Sequence, residues 1–527
     1  LAKERTETQV QYMIRRYKAS IKERESWITP WQDCYDYALP GRSGFFNSVS
    51  GQSNIDRVFD STAGTSTQEF AARIQSGLTP TFSKWFEFEP GQDIPAENRA
   101  EIGEAMQEDS DTVWEFLSSS NMNQELHESY LDLAVGTGGL LLEEGNAMSP
   151  LKFTSIPQTQ LSLSSGPFGQ PDRKYRIRQL TVDDIKLIWP TATIPTEMQN
   201  QSPEDQEERR WEIVECVSRD WMFKETERHQ FSVFSVEPEA ILFQSHFSGM
   251  GSNPLITFRW SKAAGEVYGR GPLFNVMPDV KTLNLVVELV LENAHMAIAG
   301  MWQTDDDGTI NPDTIELVPG TILPRSPGGT GMEALKPPGD FNVSQFILDD
   351  MRHNIKKALF NESLGAPEGT PMSATEVHER MADLSRTIGS AYGRMHTELV
   401  TPLLQRAVFI LRKQGRLTLP KLNGKEVKIV NVSPLAQAQH NENVARIARW
   451  LELLNAGFGP QMVNLVVKAE EAAIYTGSEI GVPEKLIRSK LEQQQLAKAI
   501  EQTNLLQSGV DPNATGAAPA PPPGAIN

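Results

Sequence analysis

Two stretches of the chain carry the residue types that phosphate and calcium chemistry use. Gly136-Thr137-Gly138-Gly139 has the look of a nucleotide-binding loop, in which glycines let backbone N–H groups close on phosphates. The third glycine of a dinucleotide fingerprint falls at Leu141, however, and no Gly-Lys-Ser/Thr follows. A turn between a helix and the strand LLLEE accounts for these glycines without a ligand. Asp305-Asp306-Asp307-Gly308 resembles part of a calcium loop. With Gly308 at the sixth position, the first and twelfth are Gln303 and Thr314, and neither is a suitable ligand.

The remaining candidates are weaker still. The 8 histidines show no His-x-x-x-His spacing and no cysteine neighbour, so a zinc site has little support. Cys34 and Cys216 are the 2 cysteines, which reads as two ordinary thiols rather than a disulfide framework. Carboxylates are plentiful at 68, so their pairing carries no weight as acid–base machinery, and no Gly-x-Ser-x-Gly elbow occurs. The sequence predicts no catalytic residues, no metal site and no cofactor: the chain is not read as an enzyme.

Two basic groups stand out against a formal net charge of −19. Arg352, His353, Lys356 and Lys357 lie on one helical stretch; Arg406, Arg412, Lys413, Arg416, Lys421, Lys425 and Lys428 follow further on. Each can be a solvated surface or a set of phosphate contacts. The overall acidity excludes non-specific binding of nucleic acid or anionic lipid by the molecule as a whole, so any contact with DNA must be local. No apolar run reaches the ~18 residues that a bilayer requires, and no signal sequence opens the chain; a soluble, unexported protein is expected, with no membrane partner.

The elements that must position these groups can be read from periodicity. At 527 residues, 39% hydrophobic and 8% aromatic, the chain is long enough for several structural units. Helical spacing runs from Thr8 to Tyr37, ending at Pro40-Gly41, and again over Arg57 to Leu78; an acidic, helical block covers Glu87 to Glu144. From Lys152 to Trp260 the period becomes two, which predicts antiparallel strands, with 203–210 as an exposed loop. The stretch from Leu273 to Ala299 reads as one helix, apolar around most of its girth, with Lys281, Asn284, Glu288, Glu292 and His295 in a narrow polar stripe. Such a helix needs neighbours on several sides. One is the helix Val343–Asn361, with Ile347, Met351, Ile355 and Leu359 on its apolar face; a second is a copy of the same helix from another subunit, which points to a ring whose polar stripe faces a central channel or the outside.

Between those two helices lies a Pro/Gly/Asp-rich excursion containing the strand candidates TIELV and TILP, joined at Pro319-Gly320. After the loop ESLGAPEGTPM, the capping-box sequence Ser373-Ala374-Thr375-Glu376 starts a helix reaching about Gln414, which Pro402 should kink. Asn423-Gly424 predicts a hairpin, helices resume at Leu435, and the Pro/Ala-rich end reads as disordered.

This order of elements, and the stretches VGTGGLLLEEG (135–145), VYGRGPLFNVMPDVKTLN (267–284) and SATEVHERMADLSRTIGSAYGRMHTELVTPL (373–403), resemble the portal, or head-to-tail connector, proteins of tailed bacteriophages, of the short-tailed type. RYKASIKERESWITPWQDCYDYALP (16–40) and DSTAGTSTQEFAARIQSGLTP (60–80) are similar too. The resemblance implies an α+β, mainly α, portal-like fold of wing, stem, clip and crown, assembled as a ring of roughly twelve subunits around a channel for double-stranded DNA. It implies a wing from 1–267 with 373–433, stem helices at 268–300 and 343–361, a clip at 301–342, a tunnel loop at 362–372, a crown at 434–508 and a disordered tail at 509–527.

From that resemblance follow candidate DNA-channel residues Arg352, Lys356, Lys357, Glu362, Leu364 and Glu368. Clip and partner-binding candidates are Asp305, Asp306, Asp307, Arg325 and Lys336; subunit-packing candidates are Val286, Val287, Val290, Leu291 and Ile298. Implied partners are the terminase, which carries the packaging ATPase, major capsid and scaffolding proteins, tail adaptor or nozzle proteins, and internal core proteins. The implied location is the portal vertex of the virion, after assembly in host cytoplasm. The alternative, a tail adaptor or internal core protein, fits the acidity but not the order helix, clip, helix, loop, long helix.

Overall fold

A computed structural model describes residues 8–42, 44–45, 55–91, 93–95, 99–199, 209–223, 227–299, 302–303, 333–334, 341–361, 389–417, 426–459 and short pieces between 466 and 477. Two compact units result, residues 1–83 with 113–417, and residues 84–112 with 418–527.

Helix α1 (Gln9–Ala38) starts where the sequence signals it. The Thr8 hydroxyl accepts from the Gln11 N–H at 3.3 Å while the Gln11 side chain accepts from the Thr8 N–H at 3.2 Å, closing a capping box. Ile14 and Tyr17, one turn apart, bury against Tyr175, Val214, Cys216 and Phe234. Next come α2 (Thr62–Leu78), whose small residues Ala63 and Ala71 are buried, strand β1 (Phe86–Pro90), α3 (Arg99–Ser118) and α4 (Met122–Val135).

The alternating region forms two antiparallel sheets. One takes β2 (Thr137–Glu144), β3 (Leu151–Ile156) and, later, β9 (Leu255–Arg259), in the order β3-β2-β9. The other runs β4 (Leu161–Ser165), β5 (Pro171–Leu180), β6 (Trp211–Arg219), β7 (Arg228–Ser235) and β8 (Ala240–Ser248) in sequence order, a meander in which each strand pairs with the next. Helix α5 (Val182–Ile188) packs Val182 and Ile185 with Trp211, Ile213 and Val233 on one face of this sheet, and α1 covers the other. The expected loop at 203–210 lies outside the described residues except for 209–210.

Beyond the sheets come α6 (Pro272–Ala299), a two-residue antiparallel pairing of Trp302-Gln303 with Glu333-Ala334, and α7 (Phe341–Ala358). Most of the excursion between those helices, including TIELV and TILP, lies outside the described residues. So do the loop at 362–372 and the capping box at Ser373. The long helix is described from residue 389, and it is not a plain α-helix. A π-turn at His396–Val400 precedes α8 (Thr401–Lys413), with Thr401 N–H donating to the His396 carbonyl. Pro402, the expected kink, directly follows this π-turn, which shifts the hydrogen-bond register from i−4 to i−5 just before it.

In the second unit, β10 (Val427–Asn431) pairs antiparallel with β1, from Phe86↔Asn431 to Pro90↔Val427. The hairpin expected across Asn423-Gly424 lies outside the described residues; the described partner of this strand is a segment more than three hundred residues earlier. Trp85, Phe86 and Phe88 are buried beside it, and the Phe88 N–H donates to Ser110 Oγ at 2.9 Å. Helix α9 (Pro434–Phe458) follows. Among the described residues no helix is long and apolar enough to cross a membrane, and no cluster of His, Cys, Asp and Glu could hold a metal ion.

Candidate functional site

The two glycine motifs of the sequence interlock at the root of α6. Gly136 ends α4, and a Cβ there would stand 2.2 Å from the Gly269 carbonyl oxygen; one on Gly271 would stand 1.9 Å from the Ala134 oxygen. Backbone this close admits glycine alone. Gly271 N–H donates to the Val135 carbonyl and Trp260 N–H to that of Gly136, at 2.9 and 3.1 Å, and Gly269 N–H reaches Thr137 Oγ1 at 2.9 Å. GTGG and YGRG are thus two halves of one joint that aims α6 away from the sheet. The Gly136 N–H itself donates to the Asp132 carbonyl at 3.0 Å, and from Thr137 onward the motif pairs with β9 as strand, so these glycines serve a helix stop and a strand start.

From that root α6 divides into two halves. Leu273, Val276, Met277, Val280 and Leu283 are buried. Asn284, also buried, accepts from the Phe59 N–H at 2.7 Å and donates to the Arg57 carbonyl at 3.0 Å, while Lys281 pairs with Asp33 of α1 at 2.5 Å. Two of the five residues of the expected polar stripe thus face the chain's own residues: Lys281 meets the Asp33 carboxylate, and Asn284 satisfies backbone groups of the 57–59 segment. Only further out, at Glu292 and His295, is the stripe exposed. There the apolar residues lose their cover as well. Leu285 and Leu289 are each 54% exposed and Leu291 51%. Val286, Val287 and Val290 are half-buried.

Helix α7 lies against α6 and repeats the division. Ile355 and Leu359 are fully buried and Leu348 nearly so, but Ile347, expected on the buried face, is 41% exposed. The inner end of α7 stops abruptly. Phe360 adopts φ +58°, a left-handed conformation that costs a bulky residue on the order of 1–3 kcal/mol. Its N–H donates to the Lys357 carbonyl at 3.0 Å and the Asn361 N–H to that of Lys356 at 2.7 Å, the paired bonds of a Schellman stop. α2 holds the strained residue in place: Arg73 donates to the Phe360 carbonyl at 2.7 Å, Asn361 Nδ2 to that of Ser66 at 2.6 Å, and the Phe360 ring packs on Phe70 and Trp260.

The basic residues of α7 are not equivalent. Arg352 grips Asp60 through Nε and a terminal nitrogen at 3.0 and 2.8 Å and reaches Asp349 at 3.6 Å. Burial pushes the Asp60 carboxyl up, but hydrogen bonds from Thr62 and Arg352 outweigh it and hold the group below its ordinary value. Arg352 is therefore engaged in holding α7 to the segment before α2. Lys356 and Lys357 are exposed in the last turn, where cations also favour the helix dipole, and Lys356 makes no ion pair among the described residues.

A family model described as bacteriophage head to tail connecting protein matches residues 10–487. The chain belongs to that family. It is 24% identical to a probable portal protein of Bordetella phage BPP-1 over 96% of this chain and 95% of the relative, and 22% identical to the portal protein of Salmonella phage epsilon15 over 87% and 85%. Among solved structures, a chain from the virion of a native gene transfer agent particle aligns over 79% of this chain and 89% of its own, at 11% identity and a TM-score of 0.35, too loose a superposition to carry an argument.

For this head-to-tail connecting protein, the geometry ranks the sequence candidates. Of the channel candidates, Lys356 and Lys357 are accessible, Arg352 is engaged, and Glu362, Leu364 and Glu368 lie outside the described residues. All five clip candidates, Asp305, Asp306, Asp307, Arg325 and Lys336, lie outside them too, as does the side chain of Ile298. Of the packing candidates, Leu291 is exposed and Val286, Val287 and Val290 are half-covered; Leu285 and Leu289, one turn apart on the outward face, were missed. An apolar helix hides this signal, because only a known neighbour says which leucines remain uncovered.

Proposed function

We propose that copies of this chain stand side by side in a closed ring of roughly twelve at one capsid vertex, with α6 and α7 as the wall of a channel for double-stranded DNA. The outer half of α6 carries this reading: Leu285, Leu289 and Leu291 are more than half exposed in the single chain, on a helix whose other half buries Leu273, Val276, Met277, Val280 and Leu283. Covering each of these leucines contributes about 1–2 kcal/mol per contact, repeated around the ring. Terminase, capsid and scaffolding proteins, tail adaptor and internal core proteins are its partners at that vertex, and the 301–342 excursion is the part offered to motor and tail.

The charge balance supports transit rather than capture. Each phosphate neutralised by a fixed cation adds counterion-release affinity, so a channel rich in lysine would hold the duplex. A chain of net charge −19 with Lys356 and Lys357 at the inner end of α7 guides DNA and meets it at one level. Single-particle images of the purified assembly down its axis test the ring; a monomer under all assembly conditions refutes it. Lys356→Gln with Lys357→Gln tests the contact: packaged genome length or retention changes while assembly does not, and unaltered packaging, retention and release remove these residues from the channel.

A further inference from the structure

A polar cavity of about 270 Å³ opens where the five-stranded sheet, β9 and the π-turn meet, away from α6 and α7. Lys174, Arg219 and His229 converge on it from β5, β6 and β7. The Lys174 ammonium donates to the Leu255 carbonyl at 2.7 Å and meets no carboxylate within ion-pair distance among the described residues. Arg219 stacks its guanidinium 4.3 Å over the Trp221 ring, likewise without an ion pair there. His229 is spoken for at Nδ1 by Ser252 Oγ at 3.3 Å. Two cations and one imidazole thus share one recess. Burial, then the charges of Lys174 and Arg219, push the His229 imidazole down to about 4. Burial brings the Lys174 ammonium down to about 8, against the pull of Glu398.

The acidic groups lining the recess differ in what they are already doing. Glu398 accepts from the Arg259 N–H and from two of its guanidinium nitrogens, at 3.1, 3.1 and 2.6 Å, so that pair is closed. Asp172 accepts from the Trp221 indole at 2.7 Å. Glu227 lines the cavity with no ion pair among the described residues. Thr257 also lines the cavity, its hydroxyl buried and without a hydrogen-bond partner among the described residues.

We propose that this cavity binds a protonated tetrahedral oxyanion, inorganic phosphate by class, held by Lys174 and Arg219, with Glu227 accepting the hydrogen bond from the anion's own O–H. A carboxylate beside cations disfavours a fully deprotonated anion and accepts from a protonated one, so phosphate is preferred to sulfate. The bound anion ties β5 and β6 together beside the helix irregularity at Glu398.

Titration calorimetry on the full chain with inorganic phosphate, then sulfate, at matched ionic strength and pH 7 tests this. Saturable phosphate binding is expected, about tenfold weaker in Lys174→Met and in Arg219→Gln. Glu227→Gln keeps binding but brings sulfate to within about twofold of phosphate. Arg219 and Glu227 are partly exposed, so their variants carry the test even if Lys174→Met fails to fold. No saturable phosphate heat in the wild type overturns the proposal, and so does an unchanged phosphate affinity in Arg219→Gln; sulfate binding as tight as phosphate in the wild type overturns the role of Glu227.

Discussion

The inner and outer halves of α6 are made of the same residue types and meet different fates. From Leu273 to Asn284 one face of the helix is enclosed by its own chain, with Asn275, Asp279 and Thr282 on the exposed side, and two polar residues are used there: Lys281 on Asp33, Asn284 on the backbone of 57–59. From Leu285 to His295 the same leucine- and valine-rich composition stands half in solvent. The first half is a domain core and the second an unfinished one. What separates them is not hydrophobicity but the reach of α1, the 55–60 segment and α2, which stop covering the helix midway.

The contrast is sharpest in two substitutions. Leu285→Asp with Leu289→Asp places charges on the outer face, where the single chain tolerates them and a neighbouring subunit does not. The expected result is loss of the ring by mass photometry, with a denaturation midpoint for the monomer moved by less than about 0.5 kcal/mol. Rings of normal size would show that the outer leucines face solvent. Leu283→Ala, only two residues before Leu285, is expected to do the reverse: about 3 kcal/mol lost from the subunit, through transfer and cavity costs, measured by chemical denaturation. A cost near zero there would erase the distinction between the halves.

How far the sequence foretold this depends on whether the deciding partner was local. The helical run from Thr8, the alternating strands from Lys152 to Trp260 and the two helices expected over 273–299 and 343–361 rest on spacing within a few residues, and all are present, the second helix spanning Phe341–Ala358. The fate of the polar stripe was not legible, since Asn284 answers to Arg57 and Phe59 more than two hundred residues away. The partner of Arg352 was illegible for the same reason: Asp60 lies 292 residues earlier in the chain. The stop at Phe360 had no sequence signal at all, because a Schellman turn ordinarily announces itself with glycine. Only the rings of Phe70 and Trp260 and the hold of Arg73 explain a phenylalanine there.

The Asp60–Arg352 pair fastens the inner half of α7, and its contribution depends on pH in a defined direction. Asp60 has a folded-state pKa below its ordinary value of 3.8, so the folded protein binds this proton less readily than the unfolded chain. The resulting stability is present in full above that ordinary value and is lost as pH falls through the lower folded-state pKa. With the Arg352 side chain 38% exposed, screening limits the pair to about 1 kcal/mol. Asp60→Asn is therefore expected to cost about 1 kcal/mol at pH 7, the gap to wild type closing as the pH drops below about 4. Denaturation curves at several pH values measure both. A gap that stays constant down to pH 3 would mean that Asp60 holds Thr62 and Arg352 by hydrogen-bond geometry alone, and that its charge plays no part in anchoring the helix.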